Sequence, residues 1–139
     1  MSTTNPLQPK CVVAAYSADV YGRAAVEHAE AIALASGARL VVVNATRGDS
    51  LVDDRFAHED EVESLRERLA TEGIEVDIRR DVVPDVAEAV LEAARQSSAD
   101  VIIVGVRHRT PVGKLLLGSV AQRVILDAPC PVLAVKPPR

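Results

Sequence analysis

Residues 101–120 read Val101-Ile102-Ile103-Val104-Gly105-Val106-Arg107-His108-Arg109-Thr110-Pro111-Val112-Gly113-Lys114-Leu115-Leu116-Leu117-Gly118-Ser119-Val120. The first four are a continuous apolar run of strand length, the pattern of a parallel strand buried on both faces. A loop punctuated by Gly105, Gly113 and Gly118 follows. Gly118-Ser119 opens a helical pattern that lasts to about Asp127.

The same unit, an apolar run and then a helical pattern, recurs on both sides of this stretch. Cys11 to Ala15 is an apolar run that ends in the polar turn Tyr16-Ser17-Ala18-Asp19. A helix follows to about Ser36 and stops at Gly37. Leu40 to Val43 is the second run, and residues 46–56 are polar and irregular. A helix over 57–72 carries Val62, Leu65 and Leu69 on one face and ends at Gly73. Ile74, Val76 and Ile78 alternate with Glu75, Asp77 and Arg79, as in a half-buried strand. Pro84 suits a first helical turn, and Val86, Ala89, Val90, Ala93 and Ala94 form a helical stripe ending near Ser98. Val132 to Val135 is the last run, closed by Lys136-Pro137-Pro138.

Strict β-α alternation predicts a parallel sheet covered by helices on both faces. The expectation is a single doubly wound α/β domain over residues 11–137, with five strands in the order 3-2-1-4-5, preceded by a disordered lead-in over 1–10. The alternating third run suits one edge of the sheet. The fifth run, Val132, Leu133, Ala134 and Val135, is apolar although it lies at the other edge. Its backbone needs a cover, which a twofold partner, a helix or the N-terminal segment would supply; a homodimer through this strand is the expectation.

The chain has 139 residues, 48% hydrophobic but only 2% aromatic, so the core is built from Val, Leu, Ile and Ala. A net charge of −4 argues against a general nucleic-acid binder. No apolar run approaches the roughly 20 residues a membrane helix needs, and no secretory signal is visible. Cys11 and Cys130 lack CxxC spacing and read as buried thiols of a reducing compartment, so the expected location is cytoplasmic.

In an open α/β sheet, ligands bind beyond the carboxyl ends of the strands, where the winding reverses. That crevice falls between the first and fourth strands, at the loops starting from Tyr16 and Gly105. Free N–H groups at the helix start by Gly118-Ser119 form a ready anion site. Ser119 either caps the helix or donates to a phosphate. Arg107, His108, Arg109 and Lys114 concentrate positive charge there in an acidic chain. The plainer reading is a capped loop with a solvated basic patch.

Residues Asp100 to Gly105, Leu115-Leu116-Leu117-Gly118-Ser119-Val120, and Ala128-Pro129-Cys130-Pro131-Val132-Leu133-Ala134-Val135-Lys136 strongly resemble the universal stress protein family. Its ATP-binding members carry a glycine, two residues, a glycine, nine residues, then Gly-Ser or Gly-Thr. Gly105 matches the first position and Gly118-Ser119 the last. His108 replaces the second glycine, and Tyr16 stands where the family often has an aspartate. The resemblance implies an ATP site, with or without magnesium. Gly105, Arg107, Gly118, Ser119 and Val120 would hold phosphate and ribose, and Ala45, Val104 and Tyr16 would surround the base. Arg107 and Arg109 would offset the lost glycine. Tyr16 either stacks on a base or fills the pocket as a core residue. If His108 faces phosphate, binding weakens as pH rises past its pKa; otherwise it is an exposed loop residue.

Other constellations are set aside. His58-Glu59-Asp60-Glu61 lacks convergent metal-ligand spacing and suits a helix start. His28 has no marking as a base. A phosphorelay receiver would need acids where Tyr16-Ser17 and Arg79-Arg80 stand. Neither a Walker loop nor a GxSxG elbow is present. The expected function is a nucleotide-binding regulatory module of the stress response with at most slow ATP hydrolysis. The alternatives are a dimeric scaffold that no longer binds nucleotide and, more distantly, an enzyme acting on an acidic small molecule.

Overall fold

In the computed structural model, which describes residues 4–47, 59–107 and 117–138, the apolar runs become strands β1 (Cys11–Ala15), β2 (Arg39–Thr46), β3 (Val76–Val82), β4 (Val101–Gly105) and β5 (Val132–Val135). Between them lie helices α1 (Val20–Ser36), α2 (Glu59–Thr71), α3 (Val86–Ser97) and α4 (Ser119–Asp127). The strands pair in the order β3-β2-β1-β4-β5, every pair parallel. This is the doubly wound arrangement expected from the alternation.

Two apolar layers sandwich the sheet. The period of two along each strand sends Val12 and Ala14 of β1, Leu40 and Val42 of β2, and Val101 and Ile103 of β4 to the side of α1 and α2. Cys11, Val13, Val41, Val43, Ile102 and Val104 meet α3 and α4 on the other. Helix ends follow local chemistry. The Asp19 carboxylate accepts the N–H groups of Tyr21 and Gly22 to start α1, and Gly37 ends it at φ 75°. The Asp85 carboxylate accepts the Glu88 N–H to start α3.

Two strands outrun their expected ends. β2 extends to Thr46, and β3 runs from Val76 to Val82 rather than from Ile74 to Arg79. Ile74 is instead buried beside α1 and α2. The pairing of Asn44, Ala45 and Thr46 with Arg80, Asp81 and Val82 explains the extension. An edge strand needs only backbone partners on one side, so its charged side chains face solvent at no cost to the ladder.

At the amino edge, Asp100 gathers the chain ahead of β1. Its carboxylate accepts the N–H groups of Asn5 (3.0 Å), Lys10 (2.8 Å) and Cys11 (3.1 Å). Burial pushes the Asp100 carboxyl up, but the three N–H donors and the Lys10 charge outweigh it and hold the group below its usual range. A lowered folded pKa makes the contribution to stability full above the unfolded value of about 3.9 and lost as pH falls through the folded one. We expect Asp100→Ala to cost about 1–2 kcal/mol at pH 7. The gap from wild type should close as pH falls below the usual carboxylate range and through the lowered folded pKa, as read from urea midpoints; a pH-independent gap would contradict the staple. Nearby, both cysteines are free thiols. Burial, then the Asp100 charge, push the Cys130 thiol up to about 11, which leaves it a weak nucleophile at neutral pH.

Candidate functional site

The chain leaves β1 toward β2 and leaves β4 toward β5, so the two connections diverge and open a cleft above the carboxyl ends of the strands. Its volume is about 730 Å³, within the range of roughly 300–1,000 Å³ typical of small-molecule sites. Tyr16, Ala45, Val104, Gly105, Arg107, Gly118, Ser119 and Val120 all line it. His108, together with Arg109 and Lys114, lies outside the described residues.

The floor is aliphatic and small. Ala15, Val43 and Val104 come from the ends of the central strands, and Ala87 and Val90 from the first turns of α3. Val90 belongs to the helical stripe read in the sequence, whereas Ala87 was not singled out there. Both are buried, and as residues of the first turns of α3 they also face the cleft.

One wall is the start of α4. Gly118 is its N-cap at φ 87°, and no side chain caps the helix. Ser119 is the first helical residue rather than the cap, which corrects one of its two expected roles. Among the described residues, the N–H end of α4 therefore faces the cleft without a capping side chain, whereas Asp19 and Asp85 cap α1 and α3.

Gly105, which lines the cleft, also has a packing role. A Cβ built on it would stand 2.1 Å from the Tyr21 carbonyl oxygen and 2.6 Å from the carbonyl carbon. The missing side chain makes room for α1. Gly22 does the same one residue later, where a Cβ would fall 2.0 Å from the Ser17 nitrogen. These two contacts wedge the first turn of α1 against the ends of β1 and β4 and bring Tyr21 to the cleft. No local pattern in the sequence announces this.

Tyr16 borders the cleft, while its ring packs as a core residue. It shares the parity of Val12 and Ala14, so its ring is buried, 6% exposed, on the α1 and α2 side, across the sheet from Ala15 and Val43. Its hydroxyl donates to the Glu61 carboxylate, which also meets Arg23 at 3.5 Å. Its carbonyl accepts the side-chain N–H of fully buried Asn44 at 2.9 Å. Burial first, then the hydrogen bond and charge of Glu61, push the phenol well above its ordinary value of 10.0. In Tyr21→Phe, which leaves Tyr16 as the sole tyrosine, spectrophotometric titration should show no phenolate at pH 10 until the protein unfolds. With the folded pKa raised, stability is full below about pH 10 and declines as pH rises toward the folded pKa. Ionisation near 10 in the folded state would contradict this.

Arg123 is the largest feature of the cleft that the sequence did not reveal. Its guanidinium reaches Asp85 at 2.8 Å, Glu88 at 3.2 Å and Asp127 at 2.9 Å. The Glu88 N–H, then Arg123, hold the Asp85 carboxyl below its ordinary range. Asp85 and Arg123 are 38 residues apart, so only the packing of α3 on α4 unites them. Arg107 has a different partner: its guanidinium carbon lies 5.5 Å from the centre of the Tyr21 ring. Among the described residues, no group of three or more His, Cys, Asp or Glu is placed to hold a metal ion.

The family model of the universal stress protein family matches residues 10–136. The chain belongs to that family. It is 50% identical over 126 residues to a universal stress protein of Mycolicibacterium smegmatis, covering 91% of this chain and 97% of the relative. Among solved structures, a universal stress protein from Archaeoglobus fulgidus superposes with a TM-score of 0.73 at 23% identity. That match covers 92% of this chain and 44% of the longer one, and it shows the shared fold. A universal stress protein solved in complex with cAMP superposes with a TM-score of 0.69 at 26% identity, covering 94% of this chain and 99% of that one. The sheet order is thus that of a universal stress protein.

Proposed function

We propose that this universal stress protein is a regulatory module that binds an adenine nucleotide in the cleft. The observation that carries the reading is the uncapped start of α4 facing a cavity of about 730 Å³ with a small aliphatic floor. A flat base suits the floor, and a phosphate suits free N–H groups at a helix start. The solved relative holding cAMP supports the class of ligand. ATP, with or without magnesium, is the ligand we expect for this chain. Gly118, Ser119 and Val120 would take the phosphates with Arg107, and Ala45 and Val104 would border the base. Among the described residues the cleft holds no nucleophile–base pair, so we assign it binding, with at most slow hydrolysis.

Calorimetric titration with magnesium ATP, beside native mass spectrometry of the purified protein, tests the proposal. Saturable binding with a raised melting temperature is expected. Absence of both heat and thermal protection would leave the alternative of a scaffold without nucleotide.

We further propose that the protein acts in the cytoplasm as a homodimer joined along β5. Among the described residues, no strand lies beyond the outer edge of β5. Leu133 on β5 and Leu126 on α4 are 40% and 72% exposed, with Ile125 beside them. An apolar strand edge flanked by exposed leucines suits a twofold partner. Among the described residues no helix is long and apolar enough to cross a membrane. Leu133→Lys is expected to shift sedimentation from dimer to monomer; a wild type that sediments as a monomer would end this part of the proposal.

A further inference from the structure

We propose that Tyr21 and Arg107 act as one unit at the mouth of the cleft, in which Tyr21 holds the Arg107 guanidinium in place and Arg107 selects ligands by the phosphate charge they carry. The inference rests on the nucleotide reading above and names the residue that discriminates among nucleotides.

The arginines of the cleft differ in what already engages them. Arg123 is committed to Asp85, Glu88 and Asp127. Drawing it toward a ligand would strip two helices of their link. Arg107 is exposed, and its partner is the face of the Tyr21 ring. A cation over a ring keeps its whole charge and its N–H donors. Charge-assisted bonds to phosphate are stronger than that contact, and no carboxylate has to be displaced to form them.

Tyr21 is suited to hold this group because its own place is fixed from both sides. Its N–H donates to the Asp19 carboxylate at 3.1 Å. Its carbonyl fills the space that the absent side chain of Gly105 leaves open. Arg107 lies two residues beyond Gly105, so the segment that seats Tyr21 also carries the guanidinium it holds. Ring and cation thus keep one geometry with or without ligand, which lowers the ordering cost of binding. The start of α4 lines the same cleft, and a chain of phosphates would meet both.

The test uses ATP and adenosine as probes on the full chain, with calorimetry at two salt concentrations and a melting curve for every variant. Arg107→Gln is expected to weaken ATP binding about tenfold, to flatten its salt dependence, and to leave adenosine binding unchanged. Tyr21→Phe should match wild type. Tyr21→Leu should weaken ATP binding several-fold and leave adenosine unchanged. Combined with Arg107→Gln it should add little, since one effect acts through the other. Unaltered ATP affinity in a folded Arg107→Gln would overturn the selection role. Loss of adenosine binding in Tyr21→Leu, or full additivity in the double variant, would make Tyr21 a ligand contact of its own and overturn the positioning role. A wild type that binds neither probe would sink the nucleotide reading itself, and this proposal with it.

Discussion

Replacing Gly105 with alanine is expected to lower the stability of this protein by roughly 3 kcal/mol or more, enough to cost much of the soluble yield. The added methyl would meet the Tyr21 carbonyl oxygen, carbonyl carbon and Cα at 2.1, 2.6 and 2.9 Å. These are main-chain atoms of a helix capped by Asp19 and braced by the Gly22 contact with Ser17. They cannot swing aside as a side-chain tip would. Relief requires α1 to lift from the end of β4, which would expose part of the layer between them. Gly37→Ala is the comparison: its space is open, but φ of 75° leaves an alanine strained by about 1 kcal/mol. Urea unfolding of both variants checks the ranking. If Gly105→Ala unfolds at the wild-type midpoint, the close approach of α1 is not as described.

Ser119→Asp should abolish most nucleotide binding while leaving the fold intact or slightly firmer. A carboxylate at the first position of α4 complements the helix dipole and is worth about 0.3–1 kcal/mol to stability. The first turn of α4 at present has no acidic residue. The same negative charge would occupy the place proposed for a phosphate. Like charges brought together at a binding surface cost several kcal/mol, so ATP affinity should fall about 100-fold, or roughly 3 kcal/mol. Opposite signs for stability and affinity make the result hard to confuse with general damage. Ser119→Asn, nearly the same size without the charge, should lose far less. An unchanged dissociation constant in Ser119→Asp would remove the phosphate from the start of α4.

The fold was legible because strands buried on both faces leave unbroken apolar runs, and four of the five runs have that form. β3 was legible only in part. The alternation of side chains gives out after Arg79, yet an edge strand asks only for backbone pairing, and Arg80 and Asp81 continue the ladder with Asn44 and Ala45. The cleft was legible where position along the chain fixes position in space: Ala45, Val104 and Gly105 at strand ends, Gly118 and Ser119 at a helix start. The direction of Tyr16 could have been taken from its parity with Val12 and Ala14, which sends its ring to the opposite face from Ala15. The attachment of Arg123 to Asp85 and the contact of Gly105 with Tyr21 were beyond reach, since both arise from elements brought together only by packing.

The path of the backbone has a practical consequence. All five strands run the same way, so the residues ahead of β1 are pinned to Asp100 at the end of the sheet farthest from the cleft, while β5 finishes beside Val106, whose N–H donates to the Val135 carbonyl. A surface tether, dye or fused carrier attached ahead of Asn5 would leave the opening turned toward solution. The same attachment after Pro138 would sit next to the opening and the outer strand, and would interfere with both.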